Sequence, residues 1–106
     1  MFARISTIPL KVGSNLEYAK AIDKAVIPLL RAQKGFLDEI ALISSDGKTG
    51  FGISFWDSKE SAEAYSRSGF SEVVKALDPV AAGSAQGQLC EVTNSTVHKI
   101  AVAVGA

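Results

Sequence analysis

Apolar positions along this chain fall into blocks whose spacing alternates between strand-like and helix-like periods, and each change of period marks an element. Phe2 to Ile8 mixes β-branched and aromatic residues and stops at Pro9, which cannot donate to a central ladder, predicting a first strand. Ser14-Asn15-Leu16-Glu17 has the residue types of a capping box, in which the Ser14 hydroxyl and the Glu17 carboxylate satisfy each other's backbone amides. A helix is predicted from Ser14. Leu16, Ala19, Ile22, Val26, Leu29 and Leu30 then recur at three- and four-residue steps on one stripe, until Gly35 stops the pattern. Pro28 lies inside this helix and predicts a bend or a loosened last turn, because it lacks an amide hydrogen and clashes with the preceding turn.

Phe36 to Ser44 and Thr49 to Trp56 flank Ser45-Asp46-Gly47-Lys48, and Asp-Gly between two strand-like runs predicts a β-hairpin. In its second arm Phe51, Ile53 and Phe55 alternate with Gly50, Gly52 and Ser54, so one face is bulky and the other almost bare. A bare face leaves room for something else. Asp57, with Glu60 three residues on, predicts the cap of a second helix carrying Ala62, Ala64 and Tyr65. Gly69 interrupts that helix. Phe70, Val73, Val74 and Leu77 resume the period as a short third helix or a kinked continuation, and Asp78-Pro79 ends it. Pro79 to Gly87 reads as a loop, and a last strand is predicted from about Gln88 to Val104, with His98, Ile100, Val102 and Val104 on one face.

The order β-α-β-β-α-β defines a ferredoxin-like α+β fold, an antiparallel sheet with helices on one face. Such a sheet buries one side only. Yet bulky residues occur at both parities, among them Phe2, Ile5, Ile8, Leu37, Ile40, Leu42, Ile43, Phe51, Ile53, Phe55 and Trp56. The second face also needs a cover, and the same face of another copy supplies it, which predicts a homodimer.

Composition narrows the class. A chain of 106 residues that is 47% hydrophobic and 21% charged is expected to build one domain across residues 1–106. Eleven Lys and Arg balance eleven Asp and Glu with no basic run, which argues against a nucleic-acid partner. The single cysteine, Cys90, permits no internal disulfide and reads as a small hydrophobe in a reducing, cytoplasmic setting. No run of 18 apolar residues and no leader-like start are present, so no membrane partner is expected. No His, Cys, Asp and Glu spacing suits a metal, and Asp38 and Glu39 alternate faces, which argues against a paired-carboxylate site.

Arg4-Ile5-Ser6-Thr7 with Val12-Gly13, Lys34-Gly35-Phe36-Leu37 entering the hairpin, and Phe55-Trp56-Asp57-Ser58-Lys59-Glu60-Ser61-Ala62 entering a helix resemble the antibiotic biosynthesis monooxygenase (ABM) superfamily. The resemblance covers nearly the whole chain and implies a dimeric α/β barrel with a cavity between the sheet and the helices of each subunit. Its members include oxygenases that turn polycyclic phenols into quinones without metal or flavin, haem-degrading enzymes, and proteins of unknown role. For the haem-degrading branch, the positions that resemble its strand asparagine, helix tryptophan and haem-ligating histidine hold Thr7 or Ser6, Tyr65 and Lys75. A protonated lysine presents no lone pair to iron, so haem is not expected.

A cofactor-free oxygenase needs an apolar pocket for a flat substrate and a group that ionises a phenol. Tyr65 and His98 are the candidate catalytic residues. Thr7, Trp56, Tyr18, Asn94 and Phe70 are the candidate substrate-binding residues. The bland reading places Tyr65 and Trp56 in the core and His98 at an ordinary strand position. The leading expectation is a monooxygenase-like protein, independent of cofactors, acting on a small aromatic compound. Its rival is a non-catalytic dimeric barrel that binds a ligand, as in a stress-response module.

Overall fold

The computed structural model describes residues 1–100, and its elements run β1 (Phe2–Pro9), α1 (Asn15–Ala21), a π-helical segment (Ile22–Val26), α2 (Ile27–Arg31), β2 (Phe36–Ile43), β3 (Thr49–Trp56), α3 (Lys59–Arg67), α4 (Gly69–Leu77), a 3₁₀ turn (Asp78–Val80) and β4 (Gln86–Glu91). The strands form one sheet in the order β2-β3-β1-β4, and every neighbouring pair is antiparallel. This is the ferredoxin-like α+β arrangement that the element order predicts.

The hairpin closes as Asp-Gly requires. Ser44 and Thr49 are joined by a 2.9 Å backbone bond, Gly47 takes φ +75°, and the Asp46 carboxylate accepts from the Ser44 hydroxyl at 2.7 Å and the Lys48 amide at 3.0 Å.

Three local expectations change. The Ser14 hydroxyl donates to the Lys11 carbonyl at 2.6 Å instead of capping α1, so no capping box forms. The cap of α3 is Ser58, not Asp57, and its hydroxyl accepts from the Ser61 amide at 3.1 Å. Along the first helical run the buried residues are Tyr18, Ile22, Val26 and Leu30, whereas Leu16 is 62% exposed. The four-residue spacing of this row keeps it on one face through the wider π turns.

Those turns lie directly before Pro28, the second residue of α2. An α-helical register would set the proline ring against the Lys24 carbonyl, and the widened turn removes that clash. Loosening therefore falls upstream of the proline and not in the last turn.

Register assigns the sheet faces. Phe2, Arg4, Ser6 and Ile8 of β1 lie opposite Trp56, Ser54, Gly52 and Gly50 of β3, which lie opposite Phe36, Glu39, Ala41 and Ile43 of β2. All of these share the helix-facing side. A bulge at Leu37 admits one extra residue, which brings Phe36 opposite Trp56, with the rings edge to face at 5.6 Å. The core joins Ile8, Leu10, Trp56, Ala62, Tyr65, Val73, Leu77 and Val80 to the Tyr18–Leu30 row. Ile5, Ile40, Leu42, Phe51, Ile53 and Phe55 occupy the outer face, where Ile40 and Leu42 remain 48% and 45% exposed.

The predicted long last strand is corrected. β4 ends at Glu91, and His98 and Ile100 belong to no strand; Val102 and Val104 lie outside the described residues. Asn94 to His98 instead lie beside Asp38, Ile40 and Phe55 of the outer face.

Candidate functional site

The bare face of β3 looks at the helices. Above Gly50 lies the Tyr18 ring, so close that a methyl group there would stand 2.7 Å from Cζ. The Tyr18 hydroxyl donates to the Phe51 carbonyl at 3.2 Å. Above Gly52 converge the Ser6 hydroxyl and the Glu39 carboxylate, 3.0 and 3.1 Å from where a β-carbon would stand. The glycines thus make room for polar side chains over the sheet, a use of small residues that a larger side chain would end.

A cavity opens over this floor between the sheet and the helices. Arg4, Ser6, Thr7 and Ile8 line it from β1, Glu39 from β2, and Gly50, Gly52 and Ser54 from β3. From the helical side come Tyr18, Ile22, Val26, Leu30, Tyr65, Phe70, Val73, Val74 and Leu77. Its free volume is about 30 Å³, room for a water or two and not for an aromatic ring. A larger ligand therefore requires side chains to move.

Arg4 is placed to do so. Its Nε donates to the Ser66 hydroxyl at 2.7 Å on the solvent side of α3, and its guanidinium lies 3.8 Å over the Phe70 ring and 5.8 Å from the Tyr65 ring. On the other side it covers Gly87, where a methyl group would overlap it. Arg4 and Phe70 together form the rim. Burial lowers the guanidinium pKa from its ordinary value, and Tyr65 opposes that change.

The remaining titratable groups are shifted by desolvation. Burial raises the Glu39 carboxyl to about 7, an interaction with the Ile53 backbone offsetting part of the effect. Burial, helped by the Glu39 charge, raises the Tyr18 hydroxyl to about 12. Tyr65 is raised as well, first by burial, with Arg4 lowering and Glu39 raising it. Both phenols stay protonated near neutral pH, and the Tyr18 hydroxyl spends its proton on the Phe51 carbonyl.

Of the residues singled out in the sequence, the cavity gathers Tyr18, Tyr65 and Phe70; Thr7 borders it but belongs in register to the outer-facing row, opposite Phe51. Trp56 is fully buried behind Tyr65, stacked at 4.8 Å, and its indole donates to the Ser54 hydroxyl at 2.8 Å. It supports the cavity wall without lining it. Asn94 and His98 lie on the outer face of the sheet, where His98 Nε2 meets the Asp38 carboxylate at 2.7 Å and its ring lies 6.0 Å from Phe55. Tyr65 and His98 therefore do not share a site.

Arg4 and Glu39 are the cavity residues that sequence reasoning missed. Glu39 was visible only as one of two adjacent carboxylates on opposite faces, and its pairing with Ser54 of the bare row is what turns it inward. Lys75, the position compared with a haem ligand, is exposed and pairs with Glu72 at 3.4 Å. Among the described residues no group of three or more His, Cys, Asp or Glu side chains could hold a metal ion, and no helix is long and apolar enough to cross a membrane.

This architecture, a four-stranded antiparallel sheet with helices on one face, is shared with solved structures that include antibiotic biosynthesis monooxygenases. No protein-family model matches the chain, and no curated protein sequence matches it. Solved structures do. A monooxygenase, ActVA-Orf6 of Streptomyces coelicolor, in complex with the ligand nanaomycin D, is 19% identical with TM-score 0.71, the match covering 92% of each chain. SnoaB, a cofactor-independent oxygenase from Streptomyces nogalater, is 15% identical with TM-score 0.69, over 92% of this chain and 97% of its own. A variant of MhuD with two manganese protoporphyrin IX molecules per active site is 21% identical with TM-score 0.71, over 91% of this chain and 98% of its own. At these identities the likeness establishes the fold.

Proposed function

We propose that the cavity binds a small aromatic compound of the phenol or quinol type and that the protein acts on it as a cofactor-independent monooxygenase. One atom of dioxygen would enter the ring to give a quinone, and the other would leave as water. The observation that carries this reading is the cavity's lining: the rings of Tyr18, Tyr65 and Phe70 and a wall of aliphatic side chains, interrupted by a few convergent polar groups. An entering ring takes the place of the Arg4 guanidinium against Phe70 and Tyr65, which requires Arg4 to shift to the rim, where its guanidinium still reaches the edge of the ring. The Tyr65 hydroxyl then serves as a hydrogen-bond donor to a substrate oxygen, since its raised pKa keeps it protonated. His98, on the other face of the sheet, takes no part.

The assembly belongs to the same reading. Two copies pack outer face to outer face, covering Ile40, Leu42 and Phe51, and leave the two cavities on the outside of the dimer.

Oxygen uptake tests the function. With a panel of naphthols and hydroquinones, consumption of dioxygen matched by quinone absorbance is the expected result. Uptake no greater than that of heat-denatured protein across the panel removes the oxygenase. A second reading, a non-catalytic ligand-binding barrel, is favoured by the near-closed cavity, which holds no more than a water or two as it stands. In that case an aromatic ligand binds without consuming oxygen, and Tyr65→Phe changes affinity modestly with no turnover to lose.

A further inference from the structure

Glu39 and Arg4 stand on either side of one row. Arg4 of β1, Ser54 of β3 and Glu39 of β2 are paired in register on the helix-facing side, so the two charged residues are two strand spacings apart, about 9–10 Å between backbones. Their side chains line the same cavity, with Gly52 and Ser54 as the floor between them. The two side chains extend over that floor from opposite strands, so that both can reach one oxygen of a ring lying on it.

Neither group is engaged in an ion pair. Among the described residues the ion pairs are Lys75 with Glu72 and His98 with Asp38, both elsewhere. Arg4 uses its Nε on Ser66 and leaves its remaining donors over two aromatic rings. The polar groups that line the cavity with Glu39 are Arg4 and Ser6 from β1, Ser54 from β3, Tyr18 from α1 and Tyr65 from α3. The π segment and α4 contribute only apolar side chains; α2 contributes Leu30 to the cavity and sets Arg31 beside Glu39 and Asp38 on the other side of the β2 edge, with no ion pair formed to either among the described residues.

Resting on the aromatic-pocket reading, we infer that Glu39 is the proton acceptor of the cavity and Arg4 the holder of the oxyanion produced. A bound phenol's O–H bond breaks, the proton forms a new O–H bond on the Glu39 carboxylate, and the electron pair stays on the phenolate oxygen. Negative charge thus moves from Glu39, where burial disfavours it, onto a phenolate that the guanidinium can reach. Moving the charge also explains why an acidic residue stands in a mostly apolar wall without a cationic partner. The raised Glu39 pKa, near 7, matches a base that must accept and release a proton around neutral pH. Tyr65 adds to this by offering a hydrogen bond without competing for the proton, while Tyr18 keeps its own on the Phe51 carbonyl.

The test uses ligand binding. 4-Nitrophenol, whose hydroxyl ionises near neutral pH, and its methyl ether 4-nitroanisole are titrated into wild-type protein and Glu39→Gln over a pH series. In the wild type the nitrophenol complex holds one proton, on Glu39, that the free ionised partners lack above about pH 8. Its dissociation constant should therefore rise about tenfold per pH unit there, while the bound probe keeps the yellow absorbance of the phenolate. In Glu39→Gln that rise should disappear, because the phenolate then binds to Arg4 without uptake of a proton.

4-Nitroanisole has no proton to give and should bind both proteins within about threefold, which also reports that the variant is folded. Identical nitrophenol profiles in the two proteins, or a bound probe that is the colourless phenol above pH 8, overturn the assignment of Glu39 and leave the pocket standing. Failure of both aromatic probes to bind the wild type removes the aromatic pocket itself and the inference with it.

Discussion

Removal from water is the dominant influence at the Glu39 side chain: burial lifts its carboxyl from 4.5 to about 7, and the Ile53 backbone recovers only part of the cost. The consequence for stability has a definite sign. Between those two values the folded protein keeps a proton that the unfolded chain has released, so the contribution is complete below about pH 4.5 and lost as pH rises through about 7. Wild-type unfolding free energy, measured with urea against Glu39→Gln at each pH, should decline relative to the variant across that window and level off above it. A difference that stays constant across the window would show that the carboxyl titrates at its ordinary value. Ser54 illustrates a second residue-scale constraint: its hydroxyl accepts from the buried Trp56 indole and donates to the Arg4 carbonyl at 3.5 Å, holding the cavity floor to the core.

Among the elements, α3 shows how tertiary ties choose between neighbours of equal propensity. Asp57 and Ser58 are both good cap residues. The Asp57 amide, however, donates to the Gly35 carbonyl at 2.9 Å, holding Asp57 in the turn that leaves β3, and Gly35 itself takes φ +81°. Ser58, in extended conformation at φ −148°, is left to receive the Ser61 amide. Ser58→Ala should accordingly cost about 1 kcal/mol in chemical denaturation, and Asp57→Ala less than about 0.5 kcal/mol. The reverse order would mean that Asp57 caps the helix in solution. The same logic accounts for α1, whose expected cap is diverted because Ser14 is turned onto the Lys11 carbonyl.

Across the whole molecule the sheet separates two environments. The helix-facing side carries glycines, polar side chains and the cavity, and the outer side carries Ile5, Ile40, Leu42, Phe51, Ile53 and Phe55. Asn94 to His98 cover one end of the outer side near Phe55, leaving Ile40 and Leu42 about half exposed. If two copies share this face, Leu42→Asp places two charges in the interface while altering no buried position of the subunit. Sedimentation equilibrium should then find wild-type dimers and variant monomers with unchanged helical circular dichroism. A wild-type monomer at micromolar concentration would remove the outer face as a dimer interface.

The order of elements, the hairpin at Asp46-Gly47, the break at Gly69 and the contrast between the rows Gly50-Gly52-Ser54 and Phe51-Ile53-Phe55 were all legible in the sequence, because each rests on short-range period or turn chemistry. Direction was not. Alternation places Asp38 and Glu39 on opposite faces without saying which face is inside, and helical spacing allows either the Leu16 or the Tyr18 row to face the sheet. Register decided both: pairing of β1 and β2 with β3 aligned Arg4, Ser54 and Glu39 under the helices, and the bulge at Leu37 put Phe36 against Trp56. The cavity residues missed in the sequence are therefore charged side chains on strands. The inward orientation of Arg4 follows from its pairing with Ser54, far along the chain, which no local pattern encodes, and that of Glu39 from its pairing with the same Ser54 across the hairpin.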